Sequence, residues 1–403
     1  MGIVTLLLFG VYVLCMYWYI FQSGGGKIPS ALQGTAADPV MFMSGKELFL
    51  SGEYSKIRNF LFFVATPPLE WLIYFFILLM GVSRYFEKVT TSQTKWKLLQ
   101  NAGYLFLLSL LLYIVLFPLD YYRYHLSKSY GISTQAFASW MKDGVIDFWV
   151  NFGTSLIIVT VIYWLIKKSE KRWWLYAWLL TIPFTIFVMF IQPVVIDPLY
   201  NDFYPLKNKE LETKILSLAT QANIPAEHVY EVNMAEKTNA LNAYVTGIGS
   251  NSRIVLWDTT LNRLTDNEIL FIMAHEMGHY VEKHIYFGIA GYLLLILIGL
   301  WLTAKIMRRL ISRYGQVLKI NKISSIRSYP LFLLITSILL FASNPVSNFI
   351  SRYQETRADQ YAINLMNDRE AAVTAFQKLT ISGLSEVNPP LLVKCSVIHI
   401  HRC

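Results

Sequence analysis

The sequence predicts a mainly α-helical integral membrane protein of about seven transmembrane helices, with a polar domain that contains a small β-hairpin or sheet. Three observations carry this. Of the 403 residues, 55% are hydrophobic and 15% charged, well below the roughly one quarter charged in soluble domains, and the mean hydropathy is +0.42. A helix needs about 20 apolar residues to cross a bilayer, and such runs fall near 3–22, 60–82, 103–120, 147–166, 173–192, 286–304 and 329–344. Between 193 and 285 the chain turns polar, opening with Pro193, Pro198 and Pro205.

The first run has no basic start, and Gly24-Gly25-Gly26 is a poor cleavage context, so it reads as a retained span rather than a signal peptide. Neither Met1-Gly2 nor the Cys403 terminus signals a lipid anchor. Pro67-Pro68 interrupts the second run and leaves Glu70 with two readings. It is an ionisable group inside the membrane, which marks function, or it sits near the interface of a span that starts after Pro68. The net charge of +9 does not indicate nucleic acid, because the basic residues gather in short loops between apolar runs. Cys15, Cys395 and Cys403 form neither a disulfide framework nor a metal-ligand spacing.

Within the polar stretch, Leu211 to Ala222 has helical spacing, and the β-rich runs Ala243 to Ile248 and Arg253 to Trp257 read as a hairpin turning through Gly249-Ser250-Asn251-Ser252. Gly247-Ile248-Gly249 is not a nucleotide fingerprint, since Ser252 stands where the third glycine belongs and a strand follows. Asn242-Ala243-Tyr244 begins the hairpin. As an edge strand beside a reactive centre it offers backbone groups to an extended peptide; the plainer reading is a structural hairpin with Asn242 completing a turn.

The chemistry concentrates in His275-Glu276-Met277-Gly278-His279. Thr265 and Glu268 form a capping box, and Ile269, Leu270, Ile272 and Met273 continue a helix through the motif. Histidines four apart on a helix project from one face and can share a zinc ion, with the glutamate beside it. The alternative is two ordinary surface histidines. A second helix through Arg352-Tyr353-Gln354-Glu355-Thr356-Arg357-Ala358-Asp359 weighs against that, because Glu355 and Asp359 also share a face. One carboxylate completes a two-histidine zinc site, and another one turn on can accept a ligand's free ring N–H. The bland reading of the pair is a solvated face bridged to Arg352 and Arg357. His284 lies about 500° further round a continuous helix than His279, off the ligand face. The metzincin third position holds Ile285.

These segments, with Asn242-Ala243-Tyr244-Val245-Thr246-Gly247, Arg253-Ile254-Val255-Leu256-Trp257-Asp258-Thr259 and Ser351-Arg352, resemble in order the type I CAAX prenyl endopeptidases over nearly the whole chain. The resemblance implies seven helices around a large chamber and a gluzincin-like metallopeptidase domain. It implies one Zn2+ held by His275, His279 and Glu355, Glu276 as general base toward a zinc-activated water, and Asp359 supporting catalysis. Substrates are then prenylated CAAX-type or other membrane-associated proteins, in a bacterial plasma membrane or a eukaryotic endoplasmic reticulum membrane.

On this reading residues 1–192 are a membrane domain of five spans, 193–285 and 345–403 two parts of the metallopeptidase, and 286–344 a transmembrane hairpin. Two features sit awkwardly. Cys395 to Cys403 departs from the family, which continues through a His-Pro pair; His399 and His401 lack the proline. The tail therefore reads as truncated or frame-altered, with zinc binding retained and turnover impaired. Orientation is the other. Lys and Arg are dense in Arg84 to Lys97, Lys167 to Arg172 and Lys305 to Arg327, which places the zinc domain outside the cytoplasm, whereas the resemblance implies a cytosolic one. A transporter accounts for the spans and Glu70, but shows no internal repeat and gives no purpose to the paired ligand helices. A weakly active scaffold or chaperone accounts for the tail.

Overall fold

A computed structural model describes residues 2–22, 28–226, 228–246 and 253–397. The hairpin turn through Gly249 to Ser252, the triglycine at 24–26 and the end of the tail with His399 and His401 lie outside the described residues. Among the described residues, seven helical columns are long and apolar enough to cross a membrane. They are Gly2–Gln22, Gly45–Met80, Lys97–Ser129, Phe137–Lys168, Trp173–Tyr200, His284–Tyr314 and Ile326–Met366. Most run well past the apolar stretches, because the helices project out of the bilayer and carry polar residues at their ends.

The helices are α1 (Gly2–Gln22), α2 (Gly45–Val64), α3 (Pro68–Met80), α4 (Val82–Gln93), α5 (Lys97–Ser129), α6 (Phe137–Lys168), α7 (Trp173–Ile191), α8 (Asp197–Tyr200), α9 (Lys209–Gln221), α10 (Asp258–Arg263), α11 (Asp266–Val281), α12 (His284–Tyr314), α13 (Tyr329–Met366), α14 (Arg369–Ser382) and α15 (Leu391–Ser396). The proline pair divides the second column into α2 and α3, since a proline N–H cannot join the helical ladder. Glu70 falls in the first turn of α3. With Arg58, Thr66 and Arg123 the half-buried Glu70 lines an open cavity of about 820 Å³ formed by α2, α3, α5 and α13.

The polar domain carries four strands, β1 (Phe203–Pro205), β2 (Val229–Val232), β3 (Ala243–Thr246) and β4 (Arg253–Trp257), in the order β1-β2-β4-β3. β3 pairs antiparallel with β4, Tyr244 opposite Val255. β2 joins β4 in parallel, and β1 pairs with β2. The sequence predicts a small hairpin or sheet, and a four-stranded sheet forms around the β3–β4 hairpin. β1 and β2 are three and four residues long, too short to show an alternation. β3 is an edge strand among the described residues.

α11 runs through the centre of this domain. Phe271, Met273, Ala274 and Met277 are fully buried among Leu211, Ile215, Ile254, Leu256, Ala362 and Ala375. Its capping box forms: the Thr265 hydroxyl accepts from the Glu268 N–H, and Glu268 accepts from the Thr265 N–H. Glu268 also pairs with Lys378 of α14 at 2.7 Å. Burial works against the charged carboxylate, but the Lys378 and Thr265 bonds outweigh it and hold its pKa below the ordinary value of 4.5. A lowered folded-state pKa contributes stability that is complete above the ordinary value and is lost as pH falls through the folded one. Glu268→Gln is therefore expected to lower the melting temperature at pH 7, with the deficit shrinking as pH drops below 4.5. Thermal unfolding in detergent across that range is the check.

Candidate metal centre

Two helices build the site. α11 presents His275 and His279 one turn apart. α13 returns antiparallel from the membrane and presents Glu355 and Asp359 one turn apart. The close contact between the helices depends on Gly278. A Cβ there would lie 3.1 Å from the Ala358 Cα, 3.2 Å from its carbonyl oxygen and 3.2 Å from the Tyr361 Cβ, all atoms with little freedom to yield. The bare glycine lets the two backbones meet, so short carboxylate side chains reach the imidazoles.

One ligand atom from each of His275, His279 and Glu355 lies within 4.8 Å of the others. The two Nε2 atoms are 3.1 Å apart. Glu355 places Oε2 3.4 Å from His275 Nε2 and Oε1 3.7 Å from His279 Nε2. Three borderline and hard donors converging from two helices are the set a divalent zinc-like cation takes, with room for a further ligand. The other face of His275 is held by Asp359, Nδ1 to Oδ1 at 2.8 Å. Burial disfavours a charged His275, yet Asp359 and Glu355 more than offset it and push its pKa up to about 9. The pocket therefore stabilises positive charge.

The arginines that might have bridged these carboxylates are engaged elsewhere. Arg352 donates to the Lys394 carbonyl at 2.6 Å, and Arg357 pairs with Glu282 at 2.6 Å. Glu276, half-buried, opens into a pocket of about 330 Å³ lined also by Val245, His279, His284, Gln354 and Glu355. It thus shares a cavity with the ligand cluster and the edge strand.

His284 differs from expectation. α11 does not run on into the sixth span: Lys283 takes a left-handed conformation (φ 58°), and α12 starts afresh at His284. The break cancels the continuous-helix rotation and returns His284 to the site, its Nδ1 2.9 Å from His279 Nδ1. It is not one of the three clustered donors, but it touches one of them. Each histidine thus turns Nε2 inward and has its Nδ1 held from behind, by Asp359 for His275 and by His284 for His279.

In the strand segment, Asn242 spends its backbone on the fold. Its N–H donates to Thr260 Oγ1 at 2.9 Å, its carbonyl accepts from the Trp257 N–H at 3.1 Å, and its side chain accepts the Ala243 N–H at 2.9 Å. It anchors the start of β3, while Val245 brings the strand to the pocket.

Residues 205–398 match Peptidase family M48, and residues 41–202 match the description CAAX prenyl protease N-terminal, five membrane helices. A relative in Bacillus subtilis, the uncharacterized metalloprotease YhfN, is 56% identical over 384 residues, covering 95% of this chain and 90% of that protein. The chain belongs to peptidase family M48. CAAX prenyl protease 1 of Saccharomyces cerevisiae is 29% identical to this M48 protein over 309 residues, covering 72% of the chain and 67% of the yeast protein. The fold is also that of S. mikatae Ste24p, with a TM-score of 0.79 at 24% identity over 99% of this chain and 94% of that one. This M48 chain is a multi-pass membrane protein of a metallopeptidase family.

The helix contact gives a direct test. Gly278→Val is expected to force α11 and α13 apart, costing about 1–3 kcal/mol of overpacking strain, and to lower both the melting temperature and the bound divalent metal. Gly278→Ala falls between it and the native protein. Thermal unfolding and metal analysis of the purified proteins read both effects.

Proposed function

We propose that the chain is a zinc metalloendopeptidase that cleaves peptide bonds of membrane-associated proteins, prenylated CAAX-type proteins among the candidates. The convergence of the His275, His279 and Glu355 donor atoms within 4.8 Å, with Glu276 in the adjoining pocket, carries the reading. His275 and His279 hold the metal through Nε2 and Glu355 through its carboxylate. A zinc ion there supplies Lewis acidity, polarising a scissile carbonyl and bringing the pKa of a water toward neutrality.

The remaining chemistry belongs to the protein. Glu276 takes a proton from the attacking water and returns it to the leaving amine, so no covalent intermediate is needed. Asp359 accepts the Nδ1–H of His275, which fixes that ring with Nε2 free and raises its basicity. His284 accepts the Nδ1–H of His279 to the same end. β3 from Ala243 through Val245, including Tyr244, lines up an extended substrate by strand addition, with Asn242 securing its start. On this reading the peptidase is assembled from 193–285 and 345–403, joined through the hairpin 286–344 and resting on 1–192.

The test combines zinc content with cleavage of a quenched, farnesylated CAAX peptide in detergent. The native protein and Glu276→Gln are expected to carry equal zinc, with cleavage in the variant reduced by about 100-fold or more. Glu355→Gln is expected to lose zinc as well as activity. A native protein that binds no zinc, or a Glu276→Gln that cleaves like the native protein, contradicts the assignment.

A further inference from the structure

Residues 233–242, which lead from β2 into β3, have little regular structure of their own. Two sets of contacts hold them. On one side stands α10: Asp258 Oδ1 accepts from the Met234 and Ala235 N–H groups at 2.9 and 2.8 Å, and Thr259 Oγ1 donates to the Ala240 carbonyl at 2.7 Å. On the other side stands the membrane domain. The α5–α6 loop runs along 235–239, with a β-bridge between Ser133 and Thr238. The Thr134 N–H donates to the Lys237 carbonyl at 3.1 Å, and the Asn239 N–H to the Ile132 carbonyl at 2.8 Å. Thr134 Oγ1 donates to the Ala235 carbonyl and Asn239 Nδ2 to the Gly131 carbonyl, each at 2.8 Å. Gly131 takes the left-handed conformation (φ 73°) that this turn of the loop requires.

The loop residues 130–136 are uncharged, and a charged tie across the same junction comes from Lys237. Its Nζ donates to Asp143 Oδ2 of α6 at 2.7 Å and to the Tyr200 carbonyl, at the end of α8, at 2.7 Å. The same Asp143 oxygen accepts from Gln135 Nε2 of the loop at 2.7 Å. One lysine thus joins α6, the end of the fifth span and the segment that enters β3. The Lys237 and Asp143 side chains are 18% and 19% exposed, so solvent screens their bond little. Charge-assisted bonds in such a setting hold geometry more firmly than neutral ones. β3 has a strand on one flank only, β4, among the described residues. Its free flank has no partner strand to fix it, so where the chain enters β3 matters to where that flank lies.

We infer that Lys237 is a positioning residue for the substrate strand: by clamping 235–239 to Asp143 and the α5–α6 loop, it lets the membrane domain set where β3 lies beside the metal centre. The inference rests on the peptidase reading above, in which an extended substrate pairs with β3. Lys237 touches neither the ligand cluster nor the pocket of Glu276. It therefore acts on how firmly a peptide is held along the strand, and leaves the metal and the proton transfers at Glu276 as they are. A substrate bound loosely by a slack strand raises KM; chemistry once bound is little changed.

The test compares the full chain with Lys237→Met and Asp143→Asn in detergent, using the quenched, farnesylated CAAX peptide, zinc content and amide hydrogen exchange. In Lys237→Met the KM is expected to rise about ten-fold, the loss of one charge-assisted bond, with kcat within about two-fold and zinc content equal to native. Asp143→Asn keeps an acceptor oxygen but not the charge, and is expected to fall between the two; it decides the point if Lys237→Met does not accumulate. Amides of 243–246 are expected to exchange faster in both variants, and those of 266–281 at the native rate. Native KM with native exchange in β3 overturns the inference. So does a joint fall of kcat, zinc content and melting temperature, which marks general loosening of the fold. If the native chain cleaves no peptide, the peptidase reading has failed, and exchange in β3 still decides the clamp: faster exchange upholds it and unchanged exchange overturns it.

Discussion

The packing of α11 against α13 at Gly278 and Ala358 is the contact on which the rest of the site depends. Two helices approach this closely only where a side chain is missing, and the missing side chain lies inside the motif that supplies both histidines. Because the helices meet backbone to backbone, Glu355 and Asp359 sit at hydrogen-bonding range of His275, and the ring is gripped at both nitrogens. A bulkier residue would separate carboxylates from imidazoles while leaving every ligand in the sequence.

The membrane contributes to this geometry. α13 is one continuous helix, Tyr329–Met366, whose first half spans and whose last turns bear Glu355 and Asp359. The start of the tail is tied to it through Asn348, which donates to the Cys395 carbonyl, and through Arg352. Val393 is buried with Met16, Ile20 and Phe63 of the first two columns. α12 and α13 together separate the two ligand helices in sequence by a full membrane hairpin while returning them to contact in space.

Features set by local helical geometry were legible in the sequence. The i, i+4 spacing of His275 with His279 and of Glu355 with Asp359, and the Thr265 and Glu268 box, depend only on the turn of an α-helix. The spans were legible because a bilayer imposes a minimum apolar length, although their ends were not, since polar extensions carry no such constraint. What escaped depends on non-local or unmarked events. The parallel pairing of β2 with β4 joins strands separated by a stretch without regular pattern. The left-handed break at Lys283 has neither glycine nor asparagine to announce it, so a straight-helix projection excluded His284 although it lies against His279. The close contact at Gly278 could be recognised only once its partner Ala358 was known.

The central claim is that these two helices form one three-donor zinc site. Anomalous diffraction at the zinc edge from crystals of the zinc-loaded chain tests it most directly. The account predicts a single strong peak between His275 Nε2, His279 Nε2 and the Glu355 carboxylate, with metal–nitrogen distances of about 2.0–2.1 Å. A peak elsewhere, or one at this position that persists with Glu355 turned away from the metal, would contradict it.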